Sequence, residues 1–157
     1  MGPELIADLQ GLDLSKVQIP IEAIRQLNAQ RYEMEQLDGI LHFDPERQLI
    51  IGFKDVREDE FWVAGHIPGR PLMPGVLICE CAAQTCSYYY MRVIRKDRFL
   101  GFGGMESVRF RGPVKPGDRL LMIAKPVELR SKLARFQTQG VVNGKIVFEG
   151  IIIGIAM

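Results

Sequence analysis

One stretch of this chain, Pro71 to Met91, places 21 residues around a single charge, Glu80. It reads Pro-Leu-Met-Pro-Gly-Val-Leu-Ile-Cys-Glu-Cys-Ala-Ala-Gln and continues through Thr85, Cys86, Ser87 and three tyrosines, Tyr88 to Tyr90. A helix that is apolar nearly all round is buried on most sides, so a carboxyl in its middle is paired, protonated or employed. On this ground alone Glu80 is open both to a structural ion pair with a distant Arg or Lys and to a catalytic role. The length would allow a membrane span. Pro71, Pro74, Gly75, Glu80, Gln84 and Ser87 argue instead for a core helix.

At 157 residues the chain suits one domain, 1–157, and its 47% hydrophobic and 25% charged content is that of an ordinary globular protein. The amino end lacks a basic region followed by a long apolar run, so no secretory signal is expected and a cytoplasmic location is. Cys79, Cys81 and Cys86 all lie on the apolar run, odd in number and without C-x-x-C spacing. They read as reduced packing residues, and neither disulfide, metal nor other cofactor is expected.

The net charge of +1 hides an asymmetry: residues 1–70 hold 7 Lys/Arg against 13 Asp/Glu, residues 71–157 hold 13 against 6. Part of the basic excess, Arg92, Arg95, Lys96 and Arg98, crowds the end of the helix, where the helix dipole favours cations. The surplus suggests an acidic partner, and no nucleic-acid-binding motif accompanies it.

Residues 1–18 read as a loosely structured leader. From Pro20 a short amphipathic helix is expected, with the proline at its first position and Ile21, Ile24 and Leu27 on one face. Two strand-like runs within 36–55 flank Asp44-Pro45-Glu46-Arg47, a hairpin signal, and His42 falls in the first as a solvated strand residue. Phe61-Trp62-Val63-Ala64 reads as a brief strand delivering the loop Gly65-His66-Ile67-Pro68-Gly69-Arg70-Pro71, whose glycines and prolines allow few backbone shapes. Pro74 suits the first turn of the long helix. Beyond it, residues 99–111, 120–127, 133–142 and 146–155 are β-rich, the last two joined by Asn143-Gly144, a two-residue turn signal. The pattern predicts an α+β fold: an antiparallel sheet of about six strands, curved around a long central apolar helix.

From Gly65 to Gln84 the residues resemble the signature G-H-F-P-x-x-P-x-x-P-G-V-L-x-x-E-x-x-A-Q of the β-hydroxyacyl-acyl-carrier-protein dehydratases of FabZ type. A second match runs from Val108 to Asp118, and the likeness covers roughly residues 20–157. The resemblance implies a hot-dog fold and a homodimer, often assembled further as a trimer of dimers, acting on acyl carrier protein in fatty acid biosynthesis. It also implies that His66 and Glu80 are the catalytic pair, contributed to one site by opposite subunits, and that the Gly75 backbone N–H polarises the thioester carbonyl. Neither nucleic acid nor membrane is among the implied partners.

The chemistry matches the residue types. Removing water from a β-hydroxyacyl thioester needs a base at the α-carbon, an acid for the departing hydroxyl, and donors for the oxygen that gains charge between those events. Histidine suits the first task. A carboxyl among apolar side chains is favoured as the neutral acid and suits the second. The amino end of a helix, at Gly75, supplies oriented N–H groups for the third. Sequence leaves open how the proton steps divide, one residue serving both through water being the other arrangement. Gln84, one turn beyond Glu80, is placed to hydrogen-bond either Glu80 or the substrate. The tyrosines read as core and interface, and Arg92, Arg95, Lys96 and Arg98 as candidates for carrier-protein docking.

Two comparisons within the resemblance refine it. FabA-type dehydratase-isomerases carry aspartate where Glu80 stands, so the resemblance implies dehydration without double-bond migration. Where the family usually has P-H-R-Y-P-F-L-L-V-D, residues 29–38 keep only Arg31, Tyr32 and Asp38. That departure keeps alive a second reading, an inactive paralogue that binds acyl groups or serves as a scaffold. A hot-dog thioesterase is a third, which the Gly-His-x-Pro loop disfavours.

Overall fold

In the computed structural model, which describes residues 2–157, the apolar run becomes the 19-residue helix α2 (Gly75–Val93). Pro74 stands one place ahead of the first turn, at the N-cap, and its carbonyl accepts from the N–H groups of Leu77 and Ile78. Thirteen of the nineteen residues are buried. Tyr88, Tyr89, Tyr90 and Met91 are buried in succession, and four positions 100° apart cover the whole circumference. A flat sheet covers only a stripe, so the layer around α2 has to curl. In the amino-terminal half one stripe of side chains stays open: Val76, Glu80 and Ala83, at i, i+4 and i+7.

The enclosing layer is one antiparallel sheet in the order β1-β2-β3-β5-β6-β7-β4. Its strands are β1 (Ile19–Pro20), β2 (Gly39–Asp44), β3 (Leu49–Asp55), β4 (Leu100–Phe110), β5 (Arg119–Leu129), β6 (Leu133–Val142) and β7 (Lys145–Ala156). The strand beyond the expected six is β1, two residues too short to show an alternation in sequence. After β3 the chain passes through α2 to the far edge, where β4 pairs with β7. The helix thereby touches β3, β4, β5, β6 and β7, the hot-dog arrangement the resemblance implies.

The hairpins follow their turn residues. Asn143 and Gly144 both take positive φ, 50° and 77°, so β6 and β7 join through the two-residue turn that such residues favour. Between β2 and β3 the Asp44 carboxylate accepts from the Arg47 N–H at 3.2 Å. Helix α1 (Ile21–Ile24) is a single turn with Pro20 as its N-cap, so Leu27 lies beyond its end.

Two segments depart from their local pattern. Phe61–Ala64 is a turn, not a strand: the N–H of Val63 bonds Glu60 and that of His66 bonds Trp62. Trp62 is drawn into the core while Phe61 stays exposed, and the backbone closes on itself instead of pairing with a sheet edge. The leader forms no helix or strand before Ile19, yet Ile6, Leu9, Leu12 and Leu14 pack on Leu49, Ile51, Ile123 and Val141 on the outer face of the sheet. Buried Gln139 ties it down, accepting from the Ile6 N–H and donating to the Glu4 carbonyl, each at 2.8 Å.

Burial pushes the Cys81 thiol up to about 12 and that of Cys86 well above its ordinary range. The thiolate is the reactive form, so neither cysteine should be alkylated at pH 8 until the chain opens. Native protein treated with iodoacetamide is expected to keep both unmodified, with labelling rising along the denaturation curve.

Candidate active site

The His66 side chain is held by its own loop. Its ring Nδ1 lies 2.7 Å from the Leu72 carbonyl oxygen. A carbonyl only accepts, so Nδ1 is the donor, and in the neutral tautomer of this geometry the lone pair belongs to Nε2. Backbone strain accompanies this shape: Ile67, immediately after, has φ 59°. The loop's far end is fixed where the Met73 N–H donates to Val114 at 2.7 Å.

Glu80 sits on the open stripe of α2, half-buried, and no Arg or Lys among the described residues forms an ion pair with it. Its one recorded partner is Gln84, whose amide nitrogen donates to Glu80 Oε1 at 2.9 Å and to the Met34 carbonyl at 2.6 Å. The Gln84 carbonyl oxygen accepts from the backbone N–H of Gln36 at 2.9 Å, and a backbone N–H only donates, so the amide has one orientation. Both of its N–H groups are then spent inside the protein, and it is 2% exposed. Of the two partners open to Gln84 in sequence, the structure shows the bond to Glu80, and Gln84 also borders the cavity beside that carboxyl.

Beside Glu80 opens a cavity of about 200 Å³ lined from α2 by Glu80, Ala83, Gln84 and Ser87, and otherwise by Gln30, residues 99–102 and residues 152–154. Its walls of Phe99, Leu100, Phe102 and Ile152 suit an alkyl chain. His66 is not among the lining residues and makes no hydrogen bond to Glu80. One protomer therefore does not bring the two together.

Gly75 begins α2, and its N–H is hydrogen-bonded to no acceptor among the described residues, as helix geometry leaves it. A Cβ there would lie 2.9 Å from the tip of the Phe110 ring, so a larger residue would make that exposed ring shift. The basic cluster divides. Arg92 lies over the rings of Phe43 and Tyr88, 5.0 and 5.6 Å from their centroids, and Arg95 forms a two-point pair with Asp97. Lys96 and Arg98 are exposed and form no ion pair among the described residues.

Residues 28–38, where the family pattern breaks, wrap the Glu80–Gln84 face. Glu35 forms a two-point ion pair with Arg25, and Arg31 donates to the carbonyls of Arg25, Asn28 and Gln30. Asn28 and Gln36 add side-chain bonds to the Gln84 and Glu33 carbonyls. Gln30 belongs to the cavity wall, which sequence did not disclose. Also undisclosed was the buried pair Lys54–Glu60, with Nζ to Oε2 at 3.2 Å; the available signal was a lone lysine in the apolar run Leu-Ile-Ile-Gly-Phe-Lys. No grouping of three or more His, Cys, Asp or Glu suited to a metal occurs among the described residues, and no helix is long and apolar enough to cross a membrane.

Known proteins resemble this chain in sequence and in shape. Residues 28–151 match the model of the FabA-like domain. The 3-hydroxyacyl-acyl-carrier-protein dehydratase FabZ of Polynucleobacter necessarius is 37% identical over 134 residues, covering 85% of this chain and 89% of that protein. That of Neisseria meningitidis serogroup B is 36% identical over 141 residues, covering 87% and 94%. Among solved structures, the dehydratase heterocomplex ApeI:P from Xenorhabdus doucetiae superposes with a TM-score of 0.71 at 16% identity, covering 85% of this chain and 90% of that one. Thioesterase HI1161 from Haemophilus influenzae gives 0.60 at 12%, covering 76% and 77%. At such identities the last two speak for the fold alone.

One charge near the site gives a pH prediction. Burial pushes the Asp38 carboxyl up from its ordinary value, the nearby Lys54 and the Asp55 N–H offsetting part of the effect. A carboxyl raised by folding holds its proton longer in the native state, so stability falls as pH rises from the unfolded value near 3.8 through the raised one. Urea midpoints of Asp38→Asn should match the wild type near pH 3 and exceed it at pH 7.

Proposed function

The chain belongs to the FabA-like family, and we propose that within it the protein acts as a FabZ-type dehydratase, removing water from β-hydroxyacyl groups on acyl carrier protein in fatty acid biosynthesis. The observation that carries this reading is that one chain holds both a histidine tied through Nδ1 to the Leu72 carbonyl and a carboxyl, without an ion pair among the described residues, that opens on an apolar cavity. The working site is shared between two copies of the chain: His66 of one faces Glu80 of the other. Support comes from their separation in one protomer and from the open stripe of Val76, Glu80 and Ala83, with Val76 75% exposed. Exposed Phe102 and Met105 on edge strand β4 add apolar surface for the same contact. A cytoplasmic location goes with this assignment.

In the reaction, His66 Nε2 removes a proton from the α-carbon, and the thioester carbonyl oxygen takes up the charge against the Gly75 N–H at the amino end of α2. The electron pair then forms the α,β double bond as the β-carbon–oxygen bond breaks. The leaving hydroxyl takes the Glu80 proton and departs as water. Gln84 already donates to Oε1, which leaves Oε2 to carry that proton. Return of the α-proton from His66 to Glu80 restores both groups.

Purified protein should hydrate a trans-2-enoyl thioester, followed by loss of enoyl absorbance. His66→Ala and Glu80→Gln should each lower kcat by at least about 100-fold. Wild-type rates in both variants would sink the site assignment, release of free thiol would identify a thioesterase, and carrier binding without turnover would identify the acyl-binding paralogue.

The same reading has acyl carrier protein dock on the basic cluster Arg92, Arg95, Lys96 and Arg98, of which Lys96 and Arg98 are exposed and have no ion pair among the described residues; Arg92 stacks on Phe43 and Arg95 pairs with Asp97. Reversing the charges of Lys96 and Arg98 should raise KM for a carrier-bound substrate while leaving a small thioester analogue unaffected. Equal effects on the two substrates would remove docking from this end of α2.

A further inference from the structure

Lys54 is 1% exposed and Glu60 7%. On β3 Lys54 shares the face of Ile50 and Gly52, whose missing side chain lets Thr85 of α2 come close, so its ammonium lies between the sheet and the helix. Glu60 reaches this charge from the loop that follows β3, Oε2 to Nζ at 3.2 Å, and the same oxygen accepts from the Arg57 N–H at 3.0 Å. From that anchor a series of short local bonds runs to the imidazole. The Glu60 carbonyl accepts from Val63 at 3.1 Å, the carbonyl of buried Trp62 accepts from the His66 N–H at 2.8 Å, and the His66 ring meets Leu72 at 2.7 Å.

A buried pair of this kind contributes little net stability compared with apolar residues of the same volume, because desolvation offsets the attraction. What it does provide is a fixed point. We propose that Lys54 and Glu60 are positioning residues for the reaction: they pin the start of the His66 loop to the sheet so that Nε2 is held at the distance and angle proton abstraction requires. This inference rests on the assignment of His66 as the base.

Two variants test it. Lys54→Met/Glu60→Met replaces both charges with apolar side chains of similar volume. It should keep a cooperative melting transition while lowering kcat by about 10- to 100-fold with KM unchanged. The ring ¹⁵N signals of His66 should change from one tautomer, protonated at Nδ1, to a mixture, a change that loss of stability elsewhere would not produce. Glu60→Asp, which keeps the charge and shortens its reach, should lower kcat by about tenfold and guards against failure of the double variant to fold. Wild-type kcat with a single tautomer in whichever variant folds overturns the proposal. Loss of activity in His66→Ala alongside full activity in these variants would refute the positioning role alone; indifference to His66→Ala would refute the site reading beneath it.

Discussion

Burial of one helix on nearly every side is the constraint from which the rest of the molecule follows. Tyr88, Tyr89 and Tyr90 are each 1% exposed or less, and only a layer that bends can cover three consecutive positions of a helix. Tyr90 relieves the polar cost of its burial by donating to the carbonyls of Arg130 and Ser131 in the turn between β5 and β6. Tyr89 meets Phe43 and Phe136 edge-on, joining β2 and β6 across the helix. The outer face of the sheet keeps apolar residues as well, and the leader covers part of it.

Against that background the open stripe at Val76, Glu80 and Ala83 is where the proposed chemistry is sited. A carboxyl there has no ion-pair partner among the described residues and is hydrogen-bonded by an amide whose every N–H is used. The amide is set in turn by the Gln36 N–H and the Met34 carbonyl, so the polar segment 28–38 fixes Glu80 through Gln84. Glu35 in place of an apolar family residue is compensated by Arg25, which pairs with it at two points. Substitutions at this segment therefore changed its chemistry without removing its hold on the helix.

His66 is organised on a different principle. Its loop has little regular structure, and its shape comes from short backbone bonds, one strained residue and a buried ion pair at its start. Such a loop can present a side chain because the core and the sheet carry the stability. His66 does not border the cavity beside Glu80 within one protomer, which is why the proposed site takes one residue from each of two copies.

Much of this was legible in the residues because it is encoded over short distances. The helix, the Asn143-Gly144 and Asp44–Arg47 turns and the β-rich carboxyl half each depend on patterns within about twenty residues, where periodicity and turn chemistry act; the proposed pairing of His66 with Glu80 rests instead on the likeness of residues 65–84 to the family signature. Phe61–Ala64 is a turn despite its β-forming side chains because its backbone bonds close locally, Val63 to Glu60 and His66 to Trp62, as Trp62 enters the core. The seventh strand, the clamp of Gln139 on the leader, the commitment of Gln84 to Glu80 and the union of Lys54 with Glu60 belong to the tertiary structure. So does the division of the basic cluster. In each case a side chain is satisfied by whatever group the folded chain brings within about 3 Å of it, and no local pattern in sequence specifies that neighbour.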